Sequence, residues 1–331
     1  MPQRRSNSWG VNTEPAGAWK ADRTTAIGVA MTSLVHALRC GQILLMDGAM
    51  GTELMKAGLT PGSSSESWNL SKPDAVRRVH AEYVTHGARC LLANTLLARP
   101  TAHDSSTTPK LDWARVIKAG VELARRECPP GGFVLGSVGP PVTTGRPSAC
   151  DEVAGIRWQL TQLQEAGVDG ILLETQTSLA ALGEVLADSK PTVPLLLSFA
   201  FRTTSSGPML ADLNEGPEEA AKFAERWSGA VIALGVNCGR EMSLKAVCDV
   251  LRRYRRTTKL PLFARPNAGT PERRGDAWCY PVAPQDIADA TCEMVNAGAT
   301  MLGGCCGTTP LHIAAMLEVL GRRASAWSPS I

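Results

Sequence analysis

Short apolar runs recur along the chain, and each is followed by polar or glycine-rich residues and then by a helix-like stretch. The runs are continuous rather than alternating, which is typical of parallel strands that are buried on both faces. We therefore predict eight strands, at residues 43–46, 90–93, 133–136, 170–173, 194–199, 231–236, 261–264 and 299–302.

The segments between these runs have the length and composition of helices, and several begin with proline or an acidic residue, as helix starts prefer. The predicted helices span residues 73–86, 111–127, 151–166, 179–189, 217–227, 242–254, 284–297 and 310–320. Eight strand–helix units favour the α/β class and a (β/α)8 TIM barrel. A doubly wound open sheet is the main alternative, although the turn DGAMGTE at 47–53 lacks the GxGxxG pattern of dinucleotide-binding sheets.

The two ends of the chain differ from the part between them. Residues 1–38 are predicted to form a disordered tail and a lead-in helix, residues 39–322 the barrel, and residues 323–331 a short C-terminal tail. Arg4 and Arg5 precede a mildly apolar stretch, as in a twin-arginine export signal, but no small-residue cleavage site follows. No run reaches the roughly 18 apolar residues of a membrane span. We therefore expect a cytoplasmic protein with no membrane association.

Composition and charge narrow the classes of function. The 331 residues are 44% hydrophobic and 20% charged, as in ordinary globular proteins. A formal net charge of +3, with no basic cluster interleaved with aromatic residues, argues against a nucleic-acid partner. Ten cysteines in a chain of this length do not indicate a disulfide scaffold. Seven of them are interpreted as small buried hydrophobic residues: Cys40, Cys90, Cys128, Cys150, Cys248, Cys279 and Cys292.

Chemically capable side chains stand at nearly every point where a predicted strand ends. This placement matters because the active site of a TIM barrel lies at the carboxyl ends of its strands. The candidates are Asp47, Asn94, Thr95, Gly139, Glu174, Ser198, Asn237, Cys238, Asn267, Cys305 and Cys306.

Three of these candidates are cysteines in glycine-containing turns. Cys238 follows the sixth predicted strand, and the adjacent Cys305 and Cys306 follow the eighth. Zinc favours thiolate ligands, and three protein ligands leave a fourth position for a substrate, as in catalytic zinc sites. The chain contains no CxxC pair of the kind that structural zinc sites use. Packing of small side chains and a strained vicinal redox pair are the alternatives that the residues alone leave open.

Seven motifs together resemble the homocysteine S-methyltransferase family, which includes betaine-using and S-methylmethionine-using enzymes and the homocysteine module of cobalamin-dependent methionine synthase. The matches run in order from about residue 39 to 321, and GVNC with GGCCGTTP is the most specific pair. The motifs are LLMDGAMGTEL (44–54), LLANT (91–95), GSVGP (136–140), GVDGILLET (167–175), LGVNCG (234–239), PNAGTP (266–271) and GGCCGTTPLHI (303–313).

The resemblance implies that zinc, held by Cys238, Cys305 and Cys306, activates the thiol of homocysteine for methylation to methionine. A free thiol has a pKa of about 8.5, and only its thiolate attacks well. Coordination to a metal ion removes that proton. The expected reaction is displacement of a methyl group from its donor by the thiolate.

The same resemblance assigns residues to the amino-acid part of the substrate. Glu174 corresponds to the family residue that pairs with the substrate ammonium, and Asp47 with the amides around Gly48 and Ala49 corresponds to an amino-acid-binding turn. Asn237 is assigned to the substrate-binding residues and is expected to order the cysteine loop.

Two further residues of the family motifs concern the metal itself. Asn267 corresponds to a residue that occupies the fourth zinc position before the substrate binds, which makes it a possible fourth ligand. His312 follows the cysteine pair but lies in the helix that begins at Pro310, so we interpret it as structural rather than as a ligand.

The methyl donor is left open between S-methylmethionine, S-adenosylmethionine, betaine and methylcobalamin carried by a separate corrinoid protein. Thr175 and Gln176 stand where betaine enzymes have a tyrosine, and Arg265 stands where methionine synthases commonly carry an acidic residue. Two other functions remain as alternatives. One is methylation of a different thiol or a selenol with a corrinoid partner, and the other is a non-catalytic barrel that binds zinc or thiols.

Overall fold

The computed structural model describes residues 33–100, 111–141, 149–210, 215–274 and 277–326. Its strands are β1 (Leu44–Leu45), β2 (Cys90–Leu92), β3 (Phe133–Val138), β4 (Gly170–Gln176), β5 (Leu195–Phe199), β6 (Phe201–Thr204), β7 (Gly207–Leu210), β8 (Val231–Asn237), β9 (Leu262–Arg265), β10 (Glu272–Arg274), β11 (Ala277–Cys279) and β12 (Ala299–Leu302). Its helices are α1 (Leu34–Arg39), α2 (Gly51–Lys56), α3 (Trp68–Ser71), α4 (Pro73–Thr85), α5 (Trp113–Glu127), α6 (Ala149–Glu165), α7 (Leu179–Ala187), α8 (Pro217–Arg226), α9 (Leu244–Thr257), α10 (Pro284–Asn296) and α11 (Pro310–Ala326).

Eight parallel strands form one sheet in the order β1-β12-β9-β8-β5-β4-β3-β2. Its two ends meet through a parallel bridge between Met46 and Cys90. The Arg89 N–H donates to the Leu45 carbonyl at 2.8 Å, and the Asp47 N–H donates to the Cys90 carbonyl at 3.0 Å. The sheet therefore closes, with helices around it, and the predicted (β/α)8 TIM barrel is confirmed in place of the open sheet.

The strands agree with the predicted ones, but several run further at their carboxyl ends. β4 continues to Gln176 and β8 to Asn237, so Glu174 and Asn237 belong to strands rather than to the loops after them. The antiparallel hairpins β6–β7 and β10–β11 were not predicted, because each strand has only three or four residues. The last helix continues to Ala326, four residues into the segment assigned to the C-terminal tail.

Helix α1 packs against the interior of the barrel. Its buried face forms one cluster with residues from the barrel strands: Leu34, Ala37, Leu38, Leu44, Met46, Cys90, Leu92, Phe133, Leu135, Leu172, Leu196, Ala233, Phe263 and Met301. A Cβ at Gly170, the first residue of β4, would lie 3.2 Å from Leu34 Cδ2. Helix α1 therefore closes the end of the barrel where the strands begin, and it is part of the core.

Truncating Leu38 to alanine is expected to lower the free energy of unfolding by about 2–4 kcal/mol, because a buried leucine is replaced by a cavity. Urea denaturation followed by circular dichroism measures this change. Arg39→Ala is the control on the same helix, because Arg39 is exposed, and its effect should stay within about 0.5 kcal/mol. Equal stability of both variants would contradict the conclusion that α1 closes the barrel and is part of its core.

The cysteines outside the candidate site differ in burial. Cys90 and Cys248 are buried, as predicted, and the structure leaves Cys128, Cys279 and Cys292 partly exposed. The prediction is wrong for Cys40, which is exposed at the end of α1, with its sulfur 3.4 Å from His36 Nε2. The side chain of Cys150 lies outside the described residues.

Within the described residues, no helix is both long and apolar enough to cross a membrane. Residues 1–32 of the segment predicted as a disordered tail and lead-in helix (1–38), including Arg4 and Arg5, lie outside the described residues, as do residues 327–331 of the predicted C-terminal tail.

Candidate metal centre

Three cysteine sulfurs meet at the carboxyl ends of the barrel strands. Cys238 directly follows β8, and Cys305 and Cys306 follow β12; only β9 separates these two strands in the sheet. The three Sγ atoms lie within 4.8 Å of one another, and all three residues are partly exposed and free of disulfides. In the described part of the chain no other three cysteine, histidine, aspartate or glutamate side chains meet in this way. The convergence predicted from the sequence is therefore present.

The glycines around these cysteines are required by space and backbone conformation. Gly307 has a φ of +78°, and a Cβ there would lie 2.0 Å from the ring of Tyr280. A Cβ at Gly304 would lie 2.1 Å from Thr308 Oγ1. Cys238 itself has a φ of +52°, a left-handed conformation that is uncommon for residues with a side chain. Such strain is characteristic of functional sites, where the surrounding structure holds it in place.

The loop that contains Asn267 is hydrogen-bonded to the cysteine loop. The Cys305 N–H donates to the Pro266 carbonyl at 2.8 Å, and the Ala268 N–H donates to the Cys306 carbonyl at 2.9 Å. Asn267 Nδ2 lies 3.7 Å from Cys238 Sγ and donates to it, while Oδ1 of the same amide is buried without a partner among the described residues. A buried amide oxygen without a partner is unusual, and here it belongs to a side chain that contacts a cysteine sulfur.

Proton sharing among the sulfurs changes their acidity. Hydrogen bonds from Cys305 and then Cys306 lower the pKa of the Cys238 thiol to about 3. The same contact with Cys238 raises the pKa of Cys305 to about 11 and raises that of Cys306 well above its usual value. Without a cation the cluster therefore favours one thiolate that accepts from two thiols. A divalent cation would offset the repulsion that opposes the other two ionisations.

Asn237 holds Cys305 in position. Its Oδ1 accepts from the Thr175 N–H at 3.0 Å and from Ser198 Oγ at 2.6 Å. Its Nδ2 donates to Thr175 Oγ1 at 2.8 Å and to Cys305 Sγ at 3.6 Å. These contacts use both donors and both lone pairs of the amide, so Asn237 acts as a positioning residue here. They also stabilise Thr175 in a left-handed conformation, with a φ of +59°.

Asp47 and Glu174 lie beside the cysteines and are joined by Arg265. Arg265 Nη1 donates to Glu174 Oε2 and Nη2 donates to Asp47 Oδ1, both at 3.1 Å. All three side chains are almost fully buried. Burial raises the pKa of Asp47 to about 7 and raises that of Glu174, and the Arg265 charge opposes both shifts. A thiolate at Cys305 would raise the Glu174 pKa further, so the ionisations of the two groups are coupled.

The turn at Gly48 and Ala49 is fixed by Thr308 and Tyr83. The Ala49 N–H donates to Thr308 Oγ1 at 3.2 Å, and Tyr83 Oη donates to the Ala49 carbonyl at 2.9 Å. A Cβ at Gly48 would lie 2.7 Å from both Thr308 Oγ1 and Tyr83 Oη. Only glycine fits at this position, next to Asp47.

Two further residues lie near the cysteines, His312 and Tyr280, and only Tyr280 is affected by the cysteine charges. His312 Nδ1 accepts from the Thr309 N–H at 3.0 Å, and His312 Nε2 lies 3.1 Å from the Val282 carbonyl. His312 is therefore structural, as predicted. Tyr280 lies against Gly307, and burial, followed by the charges of the three cysteines, raises its pKa to about 12.

Arg265 is the residue of this site that the sequence did not assign. It is the last residue of β9, a buried strand between β8 and β12. The available signal was an arginine at the end of an otherwise apolar strand, at the end of the barrel where TIM-barrel active sites form. Its partners could not be read from the sequence, because they come from β4 and from the turn after β1.

The fold and this site together define a TIM-barrel protein with three converging thiols at the carboxyl ends of its strands. Comparisons with known proteins identify its family. The family model for homocysteine S-methyltransferase matches residues 44–320. The chain therefore belongs to the homocysteine S-methyltransferase family.

Similar proteins of two kinds occur among the relatives. Homocysteine S-methyltransferase of Escherichia coli is 29% identical over 297 residues, which cover 83% of this chain and 94% of that protein. Methionine synthase of Mycobacterium tuberculosis is 31% identical over 306 residues, covering 82% of this chain but 24% of that protein. The chain thus spans about a quarter of the length of the methionine synthases that it matches.

A solved structure agrees with the fold. The metallated form of the homocysteine methyltransferase MmuM from Escherichia coli has a TM-score of 0.67 and 30% sequence identity. The similarity covers 85% of this chain and 98% of that chain.

Proposed function

We propose that this protein transfers a methyl group to the thiol of homocysteine, forming methionine, at a zinc ion held by Cys238, Cys305 and Cys306. The observation that carries the proposal is the meeting of these three sulfurs within 4.8 Å of one another at the active end of the barrel. Three thiolates match the ligand preference of zinc and leave one position open for a substrate. The existence of a metallated form of the relative MmuM supports a metal at this site.

The residues around the cysteines suit a metal that exchanges its fourth ligand. The unpartnered Asn267 Oδ1 belongs to an amide that already contacts Cys238. We assign this oxygen to the fourth position in the absence of substrate. The zinc ion, when bound, stabilises thiolate forms at neutral pH and so keeps the substrate sulfur nucleophilic.

The remaining steps depend on the protein's own side chains. Asn237 orients Cys305 through its Nδ2–H, and a hydrogen bond of this kind also limits the basicity of the sulfur. We assign the amino-acid part of homocysteine to the side of the site formed by Asp47, Gly48, Ala49 and Glu174. The substrate sulfur then forms a bond to the methyl carbon while the bond from that carbon to the donor breaks, and the donor leaves with the electron pair.

The donor is the least defined part of the reaction. We retain the two classes of donor that the sequence motifs leave open: a small methyl donor such as S-methylmethionine, S-adenosylmethionine or betaine, and methylcobalamin on a separate corrinoid protein. A small methyl donor has the better support, because the chain matches nearly the whole length of the Escherichia coli homocysteine S-methyltransferase.

Incubating zinc-loaded protein with homocysteine and each donor in turn tests this function. We expect methionine, detected by mass spectrometry, with a sulfonium donor, and no methionine after zinc is removed with a chelator. Protein without donor is the control. If no donor, including a methyl-corrinoid protein, yields methionine, the protein is not a homocysteine methyltransferase, and a non-catalytic zinc-binding barrel explains the site better.

A further inference from the structure

An internal cation already binds the two carboxylates that we assigned to the amino-acid part of the substrate. Arg265 is 3% exposed, and its guanidinium lies between Glu174 Oε2 and Asp47 Oδ1, 3.1 Å from each. Nη2 also lies 3.4 Å from the Gly48 carbonyl. A substrate ammonium that bound both carboxylates would have to take the space that this guanidinium fills.

The other oxygens of the two carboxylates are also in use. Asp47 Oδ2 accepts from the Leu92 N–H at 2.8 Å, and Glu174 Oε1 accepts from the Ser137 hydroxyl. Each of the four carboxylate oxygens therefore has a donor from the protein before any substrate binds. An incoming ammonium would compete with these donors and would be repelled by the charge of Arg265 in a buried setting, where repulsion is weakly screened.

One N–H group of Arg265 remains available to a substrate. Its Nε–H is buried and has no hydrogen-bond partner among the described residues. The guanidinium fork matches carboxylates better than any other side chain does. Arg265 also lies next to the cysteine loop, because the carbonyl of Pro266, the following residue, accepts from the Cys305 N–H at 2.8 Å.

We propose that Arg265 takes the place of the substrate ammonium, so that the site also methylates mercapto-carboxylates that lack an α-amino group. The simplest such thiol is 4-mercaptobutyrate, which is homocysteine with hydrogen in place of the ammonium. The inference rests on the proposed function for its thiol chemistry. The thiol loses its proton to solvent, its sulfur bonds to the methyl carbon of the methylsulfonium donor, and the donor leaves as a neutral thioether with the electron pair.

Binding to the zinc-loaded protein separates the substrate classes without relying on turnover. Isothermal titration under reducing conditions compares homocysteine, 4-mercaptobutyrate and 3-aminopropanethiol, which lacks the carboxylate. We expect 4-mercaptobutyrate to bind within about tenfold of homocysteine, whereas a site that needed the ammonium would lose about 30-fold or more. We expect 3-aminopropanethiol to bind at least about tenfold more weakly than 4-mercaptobutyrate. A loss greater than tenfold for 4-mercaptobutyrate would overturn the inference.

Two substitutions at Arg265 test the cation itself. Arg265→Gln should weaken the binding of 4-mercaptobutyrate relative to that of homocysteine by about tenfold or more, and Arg265→Lys, which keeps the charge but not the fork, should cause a smaller loss. Melting curves check that both variants fold. If Arg265→Gln does not fold, the ratio of the two affinities in the wild-type protein decides. An unchanged ratio in folded Arg265→Gln would overturn the inference.

The outcomes for the two proposals can be told apart. Methylation of homocysteine together with weak binding of 4-mercaptobutyrate would contradict the role of Arg265 alone. Comparable binding of both thiols with no methyl transfer to either would contradict the proposed function and leave the binding role of Arg265 standing.

Discussion

Replacing Cys238 with serine should lower kcat/KM for homocysteine by about a thousandfold or more, because metal activation of a nucleophile contributes several kcal/mol and each 1.36 kcal/mol is tenfold in rate. Serine has nearly the size of cysteine, so the left-handed turn at residue 238 should persist. The serine hydroxyl is a poor zinc ligand. Because it stays neutral, it also does not replace the Cys238 thiolate to which Cys305 and Cys306 donate. Initial rates with the best donor measure the effect.

The control for this substitution is Cys40→Ser, since Cys40 is an exposed free cysteine at the opposite end of the barrel, directly after helix α1. Its activity should equal that of the wild type. Retention of more than a tenth of the wild-type activity in Cys238→Ser would show that this sulfur does not take part in the reaction.

Adding a methyl group at Gly304 should disable the metal centre without changing any ligand. The new Cβ would lie 2.1 Å from Thr308 Oγ1, and Thr308 is held by its own bonds, donating to the Cys305 carbonyl at 2.7 Å and accepting from the Ala49 N–H. The loop must therefore move. We expect Gly304→Ala to weaken zinc binding about tenfold to a hundredfold, as changes next to metal ligands do, and to destabilise the fold by about 1–3 kcal/mol.

Gly321→Ala provides the matched control for this change. Gly321 lies in helix α11, and a Cβ there meets no atom within 4 Å. Because alanine favours helix over glycine, its stability should be unchanged or higher. Competition with a chromophoric chelator measures zinc affinity for both variants. Wild-type affinity in Gly304→Ala would mean that the cysteine loop tolerates a shift.

Most of the fold could be predicted from the sequence, because continuous apolar runs report burial on both faces of a strand. The count of eight strands and the parallel barrel follow from these runs. The contribution of α1 did not follow. Its apolar residues Leu34, Ala37 and Leu38 have helical spacing, but the surface that they cover is formed by strands far along the chain. Only the closed barrel shows that these strand residues line its interior at one end.

The candidate site was predictable to the extent that it depends on strand ends. Cys238, Cys305 and Cys306 stand out because glycines flank them and because they follow strands that lie near each other. No sequence pattern indicated that Arg265 would bridge Asp47 and Glu174. That contact depends on the direction of a long side chain across the top of the barrel, and three separate segments must be in place to form it.

The zinc content of the purified protein tests the central claim most directly. Wild-type protein and Cys306→Ala are loaded with zinc, dialysed against a weak chelator and analysed by inductively coupled plasma mass spectrometry. We predict about one zinc ion per wild-type chain and less than about a tenth of that in the variant, since the site needs all three thiolates. Full zinc stoichiometry in Cys306→Ala would contradict the assignment of the metal centre.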